Sequence, residues 1–191
     1  LSNSNRFHGI KRAVFIDRDG TLNVEKEYLH RAEECELIPG AGQAIRLLNQ
    51  AGWLVVVVTN QSGVARGYYR EQDVVALHRH IDAELSRNGA QVAGWYYCPH
   101  HPSGVEPYNQ SCTCRKPLPG MLLQAAGELA IDLSSSWMVG DKLADVEAGM
   151  AAGCRPIMVR TGYGQLASAQ LPDGVPVCDD LAAAARLILA V

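Results

Sequence analysis

The sequence has no apolar run approaching the roughly 20 residues that a bilayer-spanning helix requires, which excludes a helical membrane protein. It also lacks a surplus of charge: 17 Lys and Arg stand against 20 Asp and Glu, a formal net charge of −3. A polybasic surface for nucleic acid or anionic lipid is therefore not expected. No signal-peptide pattern opens the sequence, no repeat recurs and no low-complexity linker divides it. One domain of a cytoplasmic, monomeric enzyme is the expectation, and 191 residues suffice to bury a sizeable core. Leu1 to Gly9 are polar, without a starting Met or any periodicity, and are expected to be a frayed or extraneous end; the domain is expected over 10–191.

What is present is an alternation of strand and helix patterns. Ala13 to Ile16 is a short buried strand that runs into Asp17-Arg18-Asp19-Gly20-Thr21. Asn23 to Glu36 is a polar loop, and Pro39-Gly40 opens a helix with Ala41, Ala44, Ile45 and Leu48 on one face. Trp53 to Val58 is continuously apolar, as a buried parallel strand is, and ends in the polar turn Thr59-Asn60-Gln61-Ser62-Gly63. A helix over Glu71 to Asn88, a strand over Gly94 to Tyr97 and a helix opened by Pro119-Gly120 follow. Further strands fall at Ser136 to Val139, Pro156 to Val159 and Pro176 to Cys178, with a helix to about Gly153 between the first two and a closing helix over Leu181 to Leu189. His78 and His80, two apart on a helix, point to different faces and read as packing or surface residues. The alternation implies a three-layer, doubly wound parallel α/β sheet with helices on both faces.

In such sheets ligands bind at the carboxyl ends of the strands, and there the polar residues gather. Asp17 and Asp19 follow the first strand, Thr59, Asn60 and Gln61 the second, Arg115 and Lys116 precede a helix, and Gly140-Asp141-Lys142 follow another strand. Neighbouring carboxylates repel unless a cation or a shared proton offsets the cost. Asp17, Asp19 and Asp141 are hard oxygen ligands suited to Mg²⁺, with Lys116 and the Thr59 hydroxyl available to neutralise phosphoryl oxygens. Asp145 reads two ways: an acceptor near the metal, or an early-helix acid favoured by the helix dipole. The cysteines divide as well. Cys98, His100, Cys112 and Cys114 form a Cys₃His set with no open position, the pattern of a structural Zn²⁺, with His101 as the alternative to His100. Cys35, Cys154 and Cys178, like Trp53, Trp95 and Trp137, read as packing.

Taken in order, Asp17-x-Asp19-Gly20-Thr21, Thr59-Asn60-Gln61, Lys116-Pro117 and Gly140-Asp141-x-x-x-Asp145 resemble the haloacid dehalogenase superfamily of phosphohydrolases. The resemblance implies that Asp17 is the nucleophile, Asp19 the general acid and base, and that Mg²⁺ is held by the Asp17 carboxylate, the Asp19 carbonyl and Asp141. It implies that Thr59 and Lys116 stabilise the transferred group. The zinc loop joined to Cys-x-Cys-Arg-Lys-Pro resembles two branches of the superfamily, heptose bisphosphate phosphatases and histidinol-phosphatase domains, and the wider motifs favour the former. On that resemblance Arg115 recognises the sugar phosphate, Lys142 meets a phosphoryl oxygen, and Asn60, Gln61 and Ser62 line the site. Glu25, Lys26, Glu27 and Tyr28 occupy the substrate-loop position, although their identities depart from the small and His-containing residues usual there. No segment is long enough for a large cap domain, which argues against a mutase or phosphotransferase. Asp19 argues against a phosphate-storing receiver domain. A zinc-dependent interaction module is the non-enzymatic alternative.

Overall fold

The computed structural model describes residues 11–191, so the expectation for Leu1 to Gly9 lies outside the described residues. Six strands form one parallel sheet: β1 (Ala13–Ile16), β2 (Leu54–Asn60), β3 (Gly94–Cys98), β4 (Trp137–Gly140), β5 (Arg155–Val159) and β6 (Val177–Cys178), in the order β3-β2-β1-β4-β5-β6. Their β-branched and apolar residues have no wet face, because helices cover both sides. On one side Val14, Ile16, Val55, Val57, Val139 and Val159 pack on α1 (Ala41–Gln50), α3 (Glu71–Arg87) and α7 (Leu181–Leu189). On the other, Phe15, Val56, Val58 and Met138 meet α4 (Gly120–Leu129) and α5 (Leu143–Ala152) through Met121, Leu122, Ala125 and Ala148. The expected three-layer arrangement is thus present. Among the described residues no helix is long and apolar enough to cross a membrane.

Several boundaries differ from the sequence reading. β2 extends through Thr59 and Asn60, which the sequence reading places in a turn, because β3 continues alongside and pairs Thr59 with Tyr97 and Asn60 with Cys98. The rest of that turn is a single helical turn, α2 (Ser62–Ala65), and a second short helix, α6 (Gly164–Ala167), follows β5. The loop after β1 contains a 3-10 turn at Ala32–Glu34.

The strand order determines where the site lies. The chain leaves β1 toward β2 and β3 on one side and returns to place β4 on the other, so β1 and β4 flank the point where the winding reverses. Ile16 is in register with Val57 of β2 and Val139 of β4. One residue further, the Asp17 N–H donates to the Val139 carbonyl at 2.9 Å. Asp17, Thr59 and Asp141 therefore emerge from three adjacent strands at one edge. Neither loop at that edge forms a separate folded cap: the Asn23 to Glu36 segment and the cysteine loop run over it as rims.

Candidate active site

Three carboxylates converge at the switch point. Asp17, Asp141 and Asp145 offer oxygens all within 4.8 Å of one another, and each residue is at most 4% exposed. The Lys116 ammonium lies 2.8 Å from Asp17 Oδ1 and 2.6 Å from Asp145 Oδ1, and donates to the Val58 carbonyl at 2.8 Å. Its three N–H groups thus have three acceptors. Burial alone pushes the Lys116 ammonium down, but Asp145 and Asp17 outweigh it and hold the pKa above its ordinary value. Among the described residues Asp141 has no ammonium in contact, only the Tyr163 N–H donating to Oδ2 at 2.8 Å: burial, then the Asp17 charge, outweighs that bond and the pull of Lys142 and lifts it to about 8. Asp145 is likewise raised, by burial first, against the pull of Lys116.

One ammonium against three buried carboxylates leaves an excess of negative charge, with Asp141 Oδ1 buried and unpartnered. The backbone keeps room beside it, since a Cβ at Gly20 (φ +86°) or Gly162 (φ +56°) would collide with the Asp141 carboxylate. Hard oxygen donors, an orphaned lone pair and unbalanced charge fit a small divalent cation such as Mg²⁺. Asp145 divides its two oxygens: one accepts the Lys142 N–H at 2.9 Å to cap α5, and the other holds Lys116.

The Asp19 side chain stands apart from that cluster and has its own holders. Arg18 Nη2 donates to its two oxygens at 3.0 and 2.9 Å, Asn23 Nδ2 to Oδ1 at 3.0 Å, and Gln61 Nε2 to Oδ2 at 3.0 Å. Burial raises the Asp19 pKa, but the Arg18 charge and these hydrogen bonds outweigh it and hold the carboxyl below its ordinary range. Gln61 Nε2 also donates to Thr59 Oγ1 at 2.9 Å, and Tyr69 Oη donates to Gln61 Oε1 at 2.7 Å. Burial pushes Tyr69 up to about 12, so its hydroxyl remains a donor and fixes which way the Gln61 amide points. Thr59, accepting from Gln61, keeps its own O–H free to donate.

These groups open into a cavity of about 270 Å³. Asp19, Glu25, Glu27, Tyr28, Asn60, Gln61, Ser62, Tyr69, Lys142 and Tyr163 line it. Lys142 Nζ sits 3.1 Å from Glu25 Oε2 and over the Tyr163 ring, 4.9 Å from its centroid. Against the penalty of burial, Asp17, Asp141 and Glu25 raise the Lys142 pKa and keep it charged. Glu27 and Tyr28 both have positive φ, +46° and +48°, a conformation rare in non-glycine residues and found preferentially at ligand-binding segments. The buried Asp17, Thr59, Lys116 and Asp141 are not part of the lining, and of the expected substrate-binding residues two more are absent from it. Lys26 turns away, donating to the Glu34 carbonyl at 2.9 Å and pairing with Glu36, and Arg115 donates to the His100 carbonyl at 3.3 Å.

That bond ties Arg115 to the cysteine loop. The Sγ atoms of Cys98, Cys112 and Cys114 lie 3.0–3.5 Å apart, and His100 Nδ1 is 3.5 Å from Cys114 Sγ and 3.9 Å from Cys98 Sγ. A tetrahedral zinc with Zn–S of about 2.3 Å spaces its sulfurs by about 3.8 Å, so the set could hold a metal ion with small adjustment. His101 faces elsewhere: its Nδ1 accepts from Ser103 N–H at 3.1 Å, and its Nε2 faces Arg66.

Sequence reasoning missed Arg18, Asn23, Tyr69 and Tyr163. Tyr163 follows β5 in Thr161-Gly162-Tyr163, so the strand-end rule applied to that strand would have found it. Arg18, a cation between two acids, was also visible. Asn23 and Tyr69 carry no local signal; they reach the site through the return of a loop and the turn after α2.

The sheet order, with its paired acids at the switch point and no folded cap, defines the class: the haloacid dehalogenase-like hydrolases, whose HAD-hydrolase-like family model matches residues 113–184. Over 154 residues the chain is 47% identical to D-glycero-β-D-manno-heptose-1,7-bisphosphate 7-phosphatase of Pasteurella multocida, spanning 80% of this chain and 84% of that protein. Identity to the enzyme of the same name in Escherichia coli K12 is 49% over 152 residues, 78% of this chain and 80% of the relative. The chain belongs to the family of heptose-1,7-bisphosphate 7-phosphatases. Its fold matches the crystal structure of D,D-heptose 1,7-bisphosphate phosphatase from B. bronchiseptica complexed with magnesium and phosphate, at TM-score 0.85 and 40% identity over 94% of this chain and 98% of that one.

Proposed function

We propose that the chain removes the C7 phosphate of D-glycero-β-D-manno-heptose 1,7-bisphosphate, a step toward ADP-heptose for lipopolysaccharide core. The observation that carries this reading is the buried Asp17, Asp141 and Asp145 cluster, gripped by Lys116 at the switch point in a member of this family. Asp17 attacks phosphorus in line; the P–O bond to the sugar breaks, and an aspartyl-phosphate forms on Asp17. Asp19, ionised at rest beside Arg18, first takes a proton from solvent; it gives that proton to the departing alkoxide, then takes one from the water that attacks the aspartyl-phosphate and frees Asp17. Lys116 and the free Thr59 O–H neutralise phosphoryl oxygens as charge shifts onto them. Asp17, Asp141 and the Asp19 carbonyl would hold Mg²⁺, which would supply screening of the repulsion between nucleophile and phosphate.

Glu25, Glu27, Tyr28, Asn60, Gln61, Ser62 and Lys142 meet the sugar and its remaining phosphate, while Lys26 and Arg115 brace the two rim loops. Cys98, His100, Cys112 and Cys114 would hold Zn²⁺, which would order the loop leading to Lys116. The reading carries with it one phosphatase domain over 10–191, acting as a cytoplasmic monomer on a small sugar phosphate, without nucleic acid or membrane as partner. The test is magnesium-dependent phosphate release from heptose 1,7-bisphosphate and from histidinol phosphate, with wild type and Asp17→Asn. Preference for the bisphosphate with an inactive, folded variant is expected. Turnover by Asp17→Asn would remove the assigned nucleophile, and preference for histidinol phosphate would reassign the substrate.

A further inference from the structure

Behind Asp19 lies a charged group that the steps above do not use. Arg18 is fully buried, at 0% exposure, and among the described residues its one ion-pair partner is Asp19. Three of its donors are accounted for by Asp19 and by the Leu29 carbonyl, to which Nη2 donates at 2.9 Å; Nη1 lies 3.3 Å from His78 Nε2. A guanidinium can only donate, so His78 Nε2 must accept, and the ring is neutral with its proton on Nδ1. The surroundings of His78 enforce that state. Its ring stacks on Trp95 at 4.8 Å and meets the edge of Tyr97 at 5.9 Å, and it borders a separate cavity of about 220 Å³ beside Arg79 and Asp82. Burial first, and then the Arg18 charge, push its pKa down to about 3, against the opposing pull of Asp19.

We propose that His78 and Arg18 form a buried bracket that positions the Asp19 carboxyl for proton transfer. The proposal rests on the phosphatase reading above. An arginine fork fixes a carboxylate only if its own orientation is fixed, and here α3 supplies that constraint from outside the strand-end loop. His78 anchors Nη1, the Leu29 carbonyl accepts from Nη2, and Nε and Nη2 face Asp19. Without the His78 acceptor a buried guanidinium N–H is unpaired, and the fork is free to rotate away from the geometry in which Asp19 reaches the leaving oxygen. His78 is thus a positioning residue that touches neither substrate nor metal.

A lost general acid affects poor leaving groups and spares good ones, which separates positioning from a merely structural role. The test compares kcat/KM for heptose 1,7-bisphosphate, whose sugar alkoxide needs a proton, with that for p-nitrophenyl phosphate, whose phenolate leaves without one. In His78→Leu the first is expected to fall by about 10- to 100-fold and the second by less than about 3-fold. In His78→Gln, whose amide oxygen can accept from Arg18, most of the first should return. An equal loss on both substrates, or no loss on either, in a folded His78→Leu with an active wild type would overturn the bracket. A wild type inert toward both overturns the phosphatase reading, and the bracket with it.

Discussion

Lys116→Met is the perturbation that bears most directly on how the site is held. Methionine has nearly the length of lysine and fills the space, so the change removes charge and donors with little loss of packing. The variant loses contacts to Asp17 (2.8 Å), Asp145 (2.6 Å) and the Val58 carbonyl (2.8 Å). Breaking a buried ion pair by removing one partner costs about 3–5 kcal/mol. The stranded acids can instead take protons, at a cost of about 1.4 kcal/mol for each pH unit above the ordinary carboxylate range, which is the same scale near neutral pH. At about 2–4 °C per kcal/mol for a domain of this size, magnesium-free Lys116→Met should unfold about 6–20 °C below wild type near pH 8. The deficit should shrink toward pH 5, where the acids are protonated at less cost, and magnesium should recover part of it by replacing the missing positive charge. Turnover should fall by about 10²–10³-fold even with magnesium, because a donor to the transferring phosphoryl group is gone. The assay is thermal unfolding at the two pH values, with and without magnesium. A midpoint within about 2 °C of wild type at pH 8 would refute the premise that Lys116 holds the carboxylates together.

Asp141, lifted to about 8 when the metal is absent, retains a proton in the folded state that it gives up in the unfolded chain across roughly pH 4–8. The magnesium-free protein should therefore lose stability as pH rises through that window, whereas magnesium, which favours the ionised carboxylate, should flatten or reverse the trend. Urea midpoints at pH 5 and pH 8 check this, and stability that climbs with pH in the absence of magnesium would contradict it. At the cysteine loop, His100→Ala should lose bound zinc, whereas His101→Ala should keep one zinc per chain by metal analysis, because only the His100 ring nitrogen faces the three thiols.

Much of this site could be read in the sequence because its signals are local. A strand that ends in Asp17-Arg18-Asp19-Gly20, a buried strand that ends in Thr59, and Gly140-Asp141 after a third are each recognisable within a few residues. The Cys₃His set was equally visible, since soft ligands in a loop of Pro, Ser and Gly have no core to bury them. Boundaries were less legible: Thr59 and Asn60 look like a turn but are strand, because pairing with Tyr97 and Cys98 is a property of the partner, not of the segment. Asp145 illustrates a second limit, since helix position explains one of its oxygens and only Lys116, 29 residues earlier in the chain, explains the other.

The sequence by itself determined the alternation of elements, the parallel sheet they make and the identity of the acids, because hydrophobic periodicity and strand-end residues are short-range properties. Only the tertiary structure decided which polar groups face one another. It turned Lys26 and Arg115 toward the rim loops, chose His100 over His101, joined Tyr69 through Gln61 to Thr59 and Asp19, and set His78 against Arg18. Those pairings depend on the angle at which a helix or loop crosses the sheet, and that angle is fixed by packing across both faces at once.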